Sequence, residues 1–335
     1  MVEKKPAKLT RSPSGARLKP TNLPGVYSFE STPPDLKRQK AGVKTLKRHG
    51  LPVRPRGKGS ETAAHLWDSM MSRRFRHIHP HLRVTSTLNP PPGAGAPANS
   101  DFGSGNWSGG VVKAPRPKIP PRNLPPTKLV AVYSNWVVPT VRRPEGAADY
   151  DSPWASAAWV GLDGYGNAMN NGNVVQAGTE HDVDDSDNVY YYAWYEWYPG
   201  PSVAIDNFPV APGDAMFVYV RSGGLIGVLN YGSAWLVNHT RGIETSVFWF
   251  GPPTSVITFE GISAECIMER PSQTMPDNKE VPYNFVHYGE IAFTSFGACT
   301  DDGTFFSAKD LYTLGQKSGL SDGQHSEDIV CRPPF

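Results

Sequence analysis

One carboxylate, Glu196, is set in the run Tyr190-Tyr191-Tyr192-Ala193-Trp194-Tyr195-Glu196-Trp197-Tyr198-Pro199, where seven of the nine residues from Tyr190 to Tyr198 are Tyr or Trp. Aromatic residues at this density favour a strand. Alternation along a strand puts Tyr190, Tyr192, Trp194, Glu196 and Tyr198 on one face, and Tyr191, Ala193, Tyr195 and Trp197 on the other. A carboxylate among rings is costly to bury unless it has a partner, so Glu196 belongs at the wet lip of a cleft or inside a site. An exposed charge on an ordinary sandwich strand is the plainer reading of the same residue. The cluster Glu180-His181-Asp182-Val183-Asp184-Asp185-Ser186-Asp187 is dense in acids but lacks the spaced ligands and glycine of an EF-hand loop. It reads as a solvated acidic loop, and no metal or other cofactor is expected. Asp163, in Leu162-Asp163-Gly164, also has the setting of a turn.

The elements that must carry these residues are short. From Asn106 onward, β-like runs alternate with Gly, Pro, Asn and Asp: Leu129–Val138, Ala155–Leu162, Val174–Ala177, Val189–Tyr198, Ala215–Arg221, Ser246–Phe250, Ile262–Met268 and Ile291–Phe296. No long segment has the helical period, and repeated short strands with turn signals predict an all-β sandwich or barrel.

Ahead of them the chain has a different character. Residues 1–100 hold 19 Lys/Arg against five Asp/Glu, whereas residues 101–335 hold 14 against 26, an asymmetry hidden by the overall charge of +2. Residues 1–60 are basic, scattered with Pro and poor in large apolar residues, a composition that resists forming a core alone. His65–Met71 could form a helical turn or two, and residues 89–104, rich in Pro, Gly, Ala and Ser, read as a linker. The division is therefore a basic, mostly irregular leader and linker over 1–104 and a β domain over 105–335. A basic arm can bind nucleic acid, but no reading module accompanies it, so no nucleic acid is expected as a partner. No run approaches a membrane span, and no secretory signal is visible at the N-terminus. The cysteines Cys266, Cys299 and Cys331 lack metal-type spacing and allow at most one intrachain disulfide. Asn106-Trp107-Ser108 and Asn238-His239-Thr240 fit the glycosylation pattern.

Five motifs fall in one order: Asn106-Trp107-Ser108-Gly109-Gly110, Ala158-Trp159-Val160-Gly161-Leu162-Asp163-Gly164, Val174-Val175-Gln176-Ala177-Gly178, Trp194-Tyr195-Glu196-Trp197-Tyr198-Pro199 and Ala264-Glu265-Cys266-Ile267-Met268-Glu269. Together they resemble the glutamic peptidases (eqolisins), acid endopeptidases built on a jelly-roll-like sandwich of two curved antiparallel sheets. The resemblance covers roughly residues 105–300. It implies that Gln176 and Glu269 are the catalytic pair, and that Trp159, Asp163, Trp194 and Glu196 line the substrate cleft. It implies protein or peptide substrates and secretion; a monomer is expected, and the charge split points to a leader, residues 1 to about 100, that acts as inhibitor. The chain departs from related sequences at Cys266, where an aromatic is common, and at Arg270 and Pro271 directly after the catalytic Glu.

The chemistry fits those residue types. Amide hydrolysis needs a base to activate water and a donor for the developing oxyanion. An ionised Glu269 can be the base and later hand its proton to the leaving amine. The Gln176 amide offers both a donor and an acceptor and does not titrate, so it works unchanged in acid. Glu265, two side-chain steps along the same strand face, is a rival base. A second class stays open: sandwiches of this kind also carry lectins and glycoside hydrolases, and Glu196 with Glu269 beside aromatic platforms would suit a glycosidase. Gln176 is the residue that a carboxylate-pair glycosidase does not need. If the leader is an inhibitor, its basic charge against the acidic domain would hold it at neutral pH and release it in acid, with cleavage in 89–105.

Overall fold

The computed structural model describes residues 17–57, 59–90, 102–115, 127–146, 153–165, 173–222, 231–254, 257–277, 279–316, 322–325 and 328–332. Two antiparallel sheets face one another. In the first, Trp107–Lys113 pairs with Ser263–Glu269, which pairs with Trp154–Leu162, then Val174–Val183, Val189–Tyr198 and Val203–Ile205. In the second, Ile291–Thr300, Leu129–Val137, Ala215–Ser222 and Gly232–Asn238 lie side by side, closed by Ile243–Thr245 and Phe248–Phe250.

Alternation explains the layers. Ala158, Val160, Leu162, Val175, Ala177, Ala193, Tyr195 and Trp197 point inward, where they meet Val132, Trp136, Val218, Val220 and Leu236 from the second sheet. Their odd-and-even neighbours, Ala157, Trp159, Val174 and Trp194, form a separate cluster with Trp107 and Ile267 on the far side of the first sheet. That far side carries Gln176, Glu196 and Glu269, the residues the sequence assigns to the cleft.

The leader is more ordered than its composition suggests. Val43–Arg48 and Glu61–Ser72 are α-helices, the second absorbing the short helical stretch expected around His65–Met71. Short leader strands join existing sheet edges instead of building their own sheet. Among them, Tyr27–Phe29 pairs with Phe248–Phe250, Arg76–Ile78 with Ile243–Thr245, and Leu82–Val84 with Val203–Ile205. Its apolar residues Leu46, Leu51, Trp67, Met70 and Met71 pack on the outer face of the second sheet, against Phe217, Tyr219, Trp235, Val237 and Trp249. The segment therefore gains its order from surface supplied by the sandwich.

Charge plays a smaller part in holding the leader than the overall asymmetry implies. Among the described residues, its ion pairs with the sandwich are Arg38 and His77 on Glu244, and His81 and Arg83 on Asp206. Strand pairing and the apolar cluster supply most of the contact. The supposed linker also begins differently: Asn89 and Pro90 lie inside the cleft, while 91–101 falls outside the described residues. No disulfide joins the three cysteines, all of them among the described residues, and Cys266 and Cys331 are buried.

Candidate active site

Four neighbouring strands bring the predicted residues onto one face of the first sheet. Gln176 lies opposite Glu196 on one side and Gly161 on the other, and Glu269 lies opposite Ala157. Small residues make the close packing possible. A Cβ on Gly178 would come within 2.1 Å of the Ala158 carbonyl oxygen and 2.6 Å of Trp159 Cβ. Glycine at 178 lets the two strands approach, and Gly161 leaves room for the Trp159 ring, whose Cζ3 would lie 2.8 Å from a Cβ there.

Glu196 is fully buried and has the partners that a buried carboxylate requires. Its Oε2 accepts from the Asn89 backbone N–H at 3.0 Å, the Asn89 side-chain amide at 3.1 Å and Gln176 Nε2 at 3.2 Å. Gln176 Nε2 also donates to the Asn89 carbonyl at 2.8 Å. Both hydrogens of that amide are therefore committed, which fixes its orientation. Gln176 Oε1 is buried and accepts no hydrogen bond from the described residues, so it can accept one from a reacting water.

Glu269 is held from two sides. Trp159 Nε1 donates to one oxygen at 2.7 Å and Asn106 Nδ2 to the other at 2.7 Å. Trp159 packs edge-on against Trp107 with ring centroids 4.8 Å apart. Burial, helped by the charge of Glu196, pushes Glu269 well above the usual carboxylate range, against the pull of the Trp159, Trp107 and Asn106 donors. Burial likewise pushes Glu196 up, against the Asn89 and Gln176 donors.

The remaining candidates divide. Trp194 is fully buried, opposite Gly178 in the strand pairing and on the same strand face as Glu196. Asp163 instead organises the backbone. Its oxygens accept from the N–H groups of Glu260 at 2.7 Å and Ile262 at 2.8 Å. With its φ of 69° it turns the chain after Trp154–Leu162 and anchors the 260–262 segment. Burial lifts its carboxyl to about 6, although those N–H groups oppose the rise. Glu265, the rival base, is buried opposite Gly161 and is raised by burial, with Asp163 adding to the effect.

Several site residues escape a reading of the sequence alone. Asn106 looks like a glycan acceptor, but its amide donates to Glu269 and to the Pro90 carbonyl. Asn238 is fully buried and donates to Asp214 at 2.8 Å, so neither sequon presents a free side chain. Glu180 and His181 belong to the strand Val174–Val183, not to a solvated loop, and both are fully buried. Burial and the neighbouring Asp182, Glu269 and Glu196 raise Glu180 well above the usual range. Burial takes His181 down to about 3, leaving it neutral between Ser156 and Thr179. The four-residue spacing from Gln176 to Glu180 puts both on one strand face, and that spacing is the signal that could have found Glu180.

A model of the Peptidase A4 family matches residues 105–327, more than half of the chain. The chain belongs to that family. Aspergillopepsin-2 of Aspergillus niger is 31% identical over 91 residues, covering 26% of this chain and 31% of the relative. The chain thus spans under a third of the length of that curated relative. Scytalido-glutamic peptidase, solved with a transition state analog inhibitor, superposes with a TM-score of 0.53 at 23% identity, over 69% of this chain and 98% of that one. SCP-B, an eqolisin solved with the tripeptide Ala-Ile-His, gives 0.50 at 20%, again over 69% and 98%. At these identities the likeness shows the shared sandwich. The A4 match begins at residue 105, so the leader contacts at Glu196 and Gln176 lie outside it. Among the described residues, no helix is long and apolar enough to cross a membrane.

Proposed function

We propose that this A4 protein is an acid endopeptidase whose Glu269 and Gln176 cut peptide bonds, and that its own leader closes the cleft. The observation that carries the reading is a peptide carbonyl, that of Asn89, resting on Gln176 Nε2 at 2.8 Å. A donor placed on the carbonyl in the ground state is placed for the oxyanion that develops from it. Glu196 keeps the Gln176 amide turned towards that oxygen. Glu269 takes a proton from water, which attacks the carbonyl carbon, and returns it to the leaving nitrogen. The occupant of the cleft is a peptide, so no observation favours the carbohydrate reading.

The leader also acts on the base itself. Under it, burial holds Glu269 well above its usual range. A raised carboxyl is ionised in a smaller fraction at any given pH, so under the leader Glu269 is less often in the form that acts as base. Once the leader leaves and water enters, the burial penalty shrinks and the carboxyl falls back towards the ordinary carboxylate range. Acid operation then becomes accessible to it.

The test is acid casein hydrolysis after activation. Glu269→Gln should leave only background, and Gln176→Ala should cost about 100-fold in kcat, the scale of one oxyanion donor. Near-normal hydrolysis by a folded Glu269→Gln protein would remove the assignment.

A further inference from the structure

The leader enters the cleft in extended form. Leu88 and Thr87 pair with Ser272 and Gln273, adding a strand to the edge of the Ser272–Thr274 and Glu280–Pro282 hairpin. On the other side, the Ser202 backbone N–H donates to the Thr87 carbonyl at 3.0 Å. Two residues later the main chain meets the catalytic candidates in sequence. The Asn89 N–H is on Glu196, its carbonyl is on Gln176, and the Pro90 carbonyl accepts from Trp107 Nε1 at 3.0 Å and Asn106 Nδ2 at 2.9 Å. That same Asn106 amide holds Glu269 at 2.7 Å. The Asn89–Pro90 bond is therefore bracketed, with its oxygen on Gln176 and the next residue on the donor shared with Glu269.

We propose that Asn89–Pro90 occupies the place of the bond to be cut, and that Pro90 is what leaves it uncut. The inference rests on the Gln176 and Glu269 pair put forward above. Hydrolysis adds the water oxygen to the Asn89 carbonyl carbon, breaks the C–N bond and moves a proton through Glu269 to the departing nitrogen. In other residues that nitrogen carries a hydrogen and can turn as it becomes an amine. In proline it carries Cδ, and the ring fixes φ near −65°. The ring thus crowds the side from which Glu269 must deliver the proton and resists the turn. Pro91 and Pro92 follow in the sequence.

The same contacts define what a substrate must offer. Strand addition at Ser272–Thr274 reads main chain, and side chains add selectivity. Glu196 reads the N–H of the residue that supplies the cut carbonyl. It also accepts the Asn89 side-chain amide at 3.1 Å, which favours a short donor side chain at that position. The residue after the cut must bring an N–H where the leader brings a ring.

The experiment uses the full chain carrying Pro90→Ala, shifted to acid and followed by mass spectrometry and N-terminal sequencing. Beside it run the wild type and the double variant Pro90→Ala/Glu269→Gln. A new N-terminus at position 90 is expected in Pro90→Ala, at least about 10-fold faster than any cut at that bond in the wild type, a margin set above ordinary variation in k. It should be absent from the double variant. A peptide of residues 84–92 should inhibit the activated enzyme competitively, and the same peptide with Pro90→Ala should be cut after Asn89. If activated Pro90→Ala cleaves casein but its 89–90 bond and the altered peptide stay intact, the inference is overturned and the peptidase reading stands. If the wild type cleaves no casein, both fall together.

Discussion

Asn106 offers the sharpest test of how the site sets its working pH. Its amide donates to Glu269 Oε1 at 2.7 Å and helps hold that carboxylate down against burial. A hydrogen bond to a charged group contributes about 1.5–3 kcal/mol. One pKa unit corresponds to about 1.4 kcal/mol, so Asn106→Ala should raise Glu269 by roughly 1–2 units. The sign follows from the role of the base. Activity requires the ionised form, so the acid limb of kcat/KM against pH should move to higher pH by that amount. Below the limb, activity should drop about 10–100-fold, while the plateau above it changes much less. The assay is a pH series with a chromogenic peptide on activated enzyme, which removes the second Asn106 contact, to Pro90, from the comparison. A lowered plateau with an unmoved limb would refute the reasoning and leave Asn106 as a packing residue.

Two further predictions concern the leader. Glu244 is buried against Arg38, with side-chain exposures of 1% and 9%. Burial alone would raise it, but hydrogen bonds from Arg38 and His77 outweigh that and bring it below its usual value. A depressed carboxyl contributes stability above its unfolded pKa and loses it as pH falls through the lower folded one. The clamp should therefore open only in clear acid, and Glu244→Gln, which strands Arg38 at a cost of about 3–5 kcal/mol, should raise the pH at which activity appears. Trp67, 6% exposed in the leader cluster, should cost about 3–5 kcal/mol as Trp67→Ala. Limited proteolysis at neutral pH should then cut the leader faster while the sandwich resists, and unchanged leader protection would count against the apolar anchoring described above.

The sandwich was legible because its strands keep strict alternation. Tyr195 and Trp197 enter the core, and Trp194 and Glu196 face the cleft, as a period of two requires. Glu196 stood out because a carboxylate among rings needs a partner. The partner itself was hidden, because Asn89 lies 107 residues away in a stretch whose composition reads as linker. Glu180 was hidden by the acids after it, although the alternation from Gln176 continues through it. The order of the leader was illegible for a different reason. Leu46, Trp67, Met70 and Met71 are too few for a core of their own, and the rings that complete it, Phe217, Trp235 and Trp249, come from distant strands.

That shared cluster gives the molecule a history. While the leader stays, it covers the outer rings of the second sheet. When it goes, Phe217, Trp235 and Trp249 face water, and large exposed apolar patches seek a new cover. A chain synthesised without residues 17–89 would have to fold with the same rings uncovered, and should refold more slowly than the full chain. An enzyme freed of the leader should keep its shape through a slow unfolding barrier instead of an equilibrium. Its denaturation should then be a journey without a return, and its lifetime a clock started by the loss of the leader.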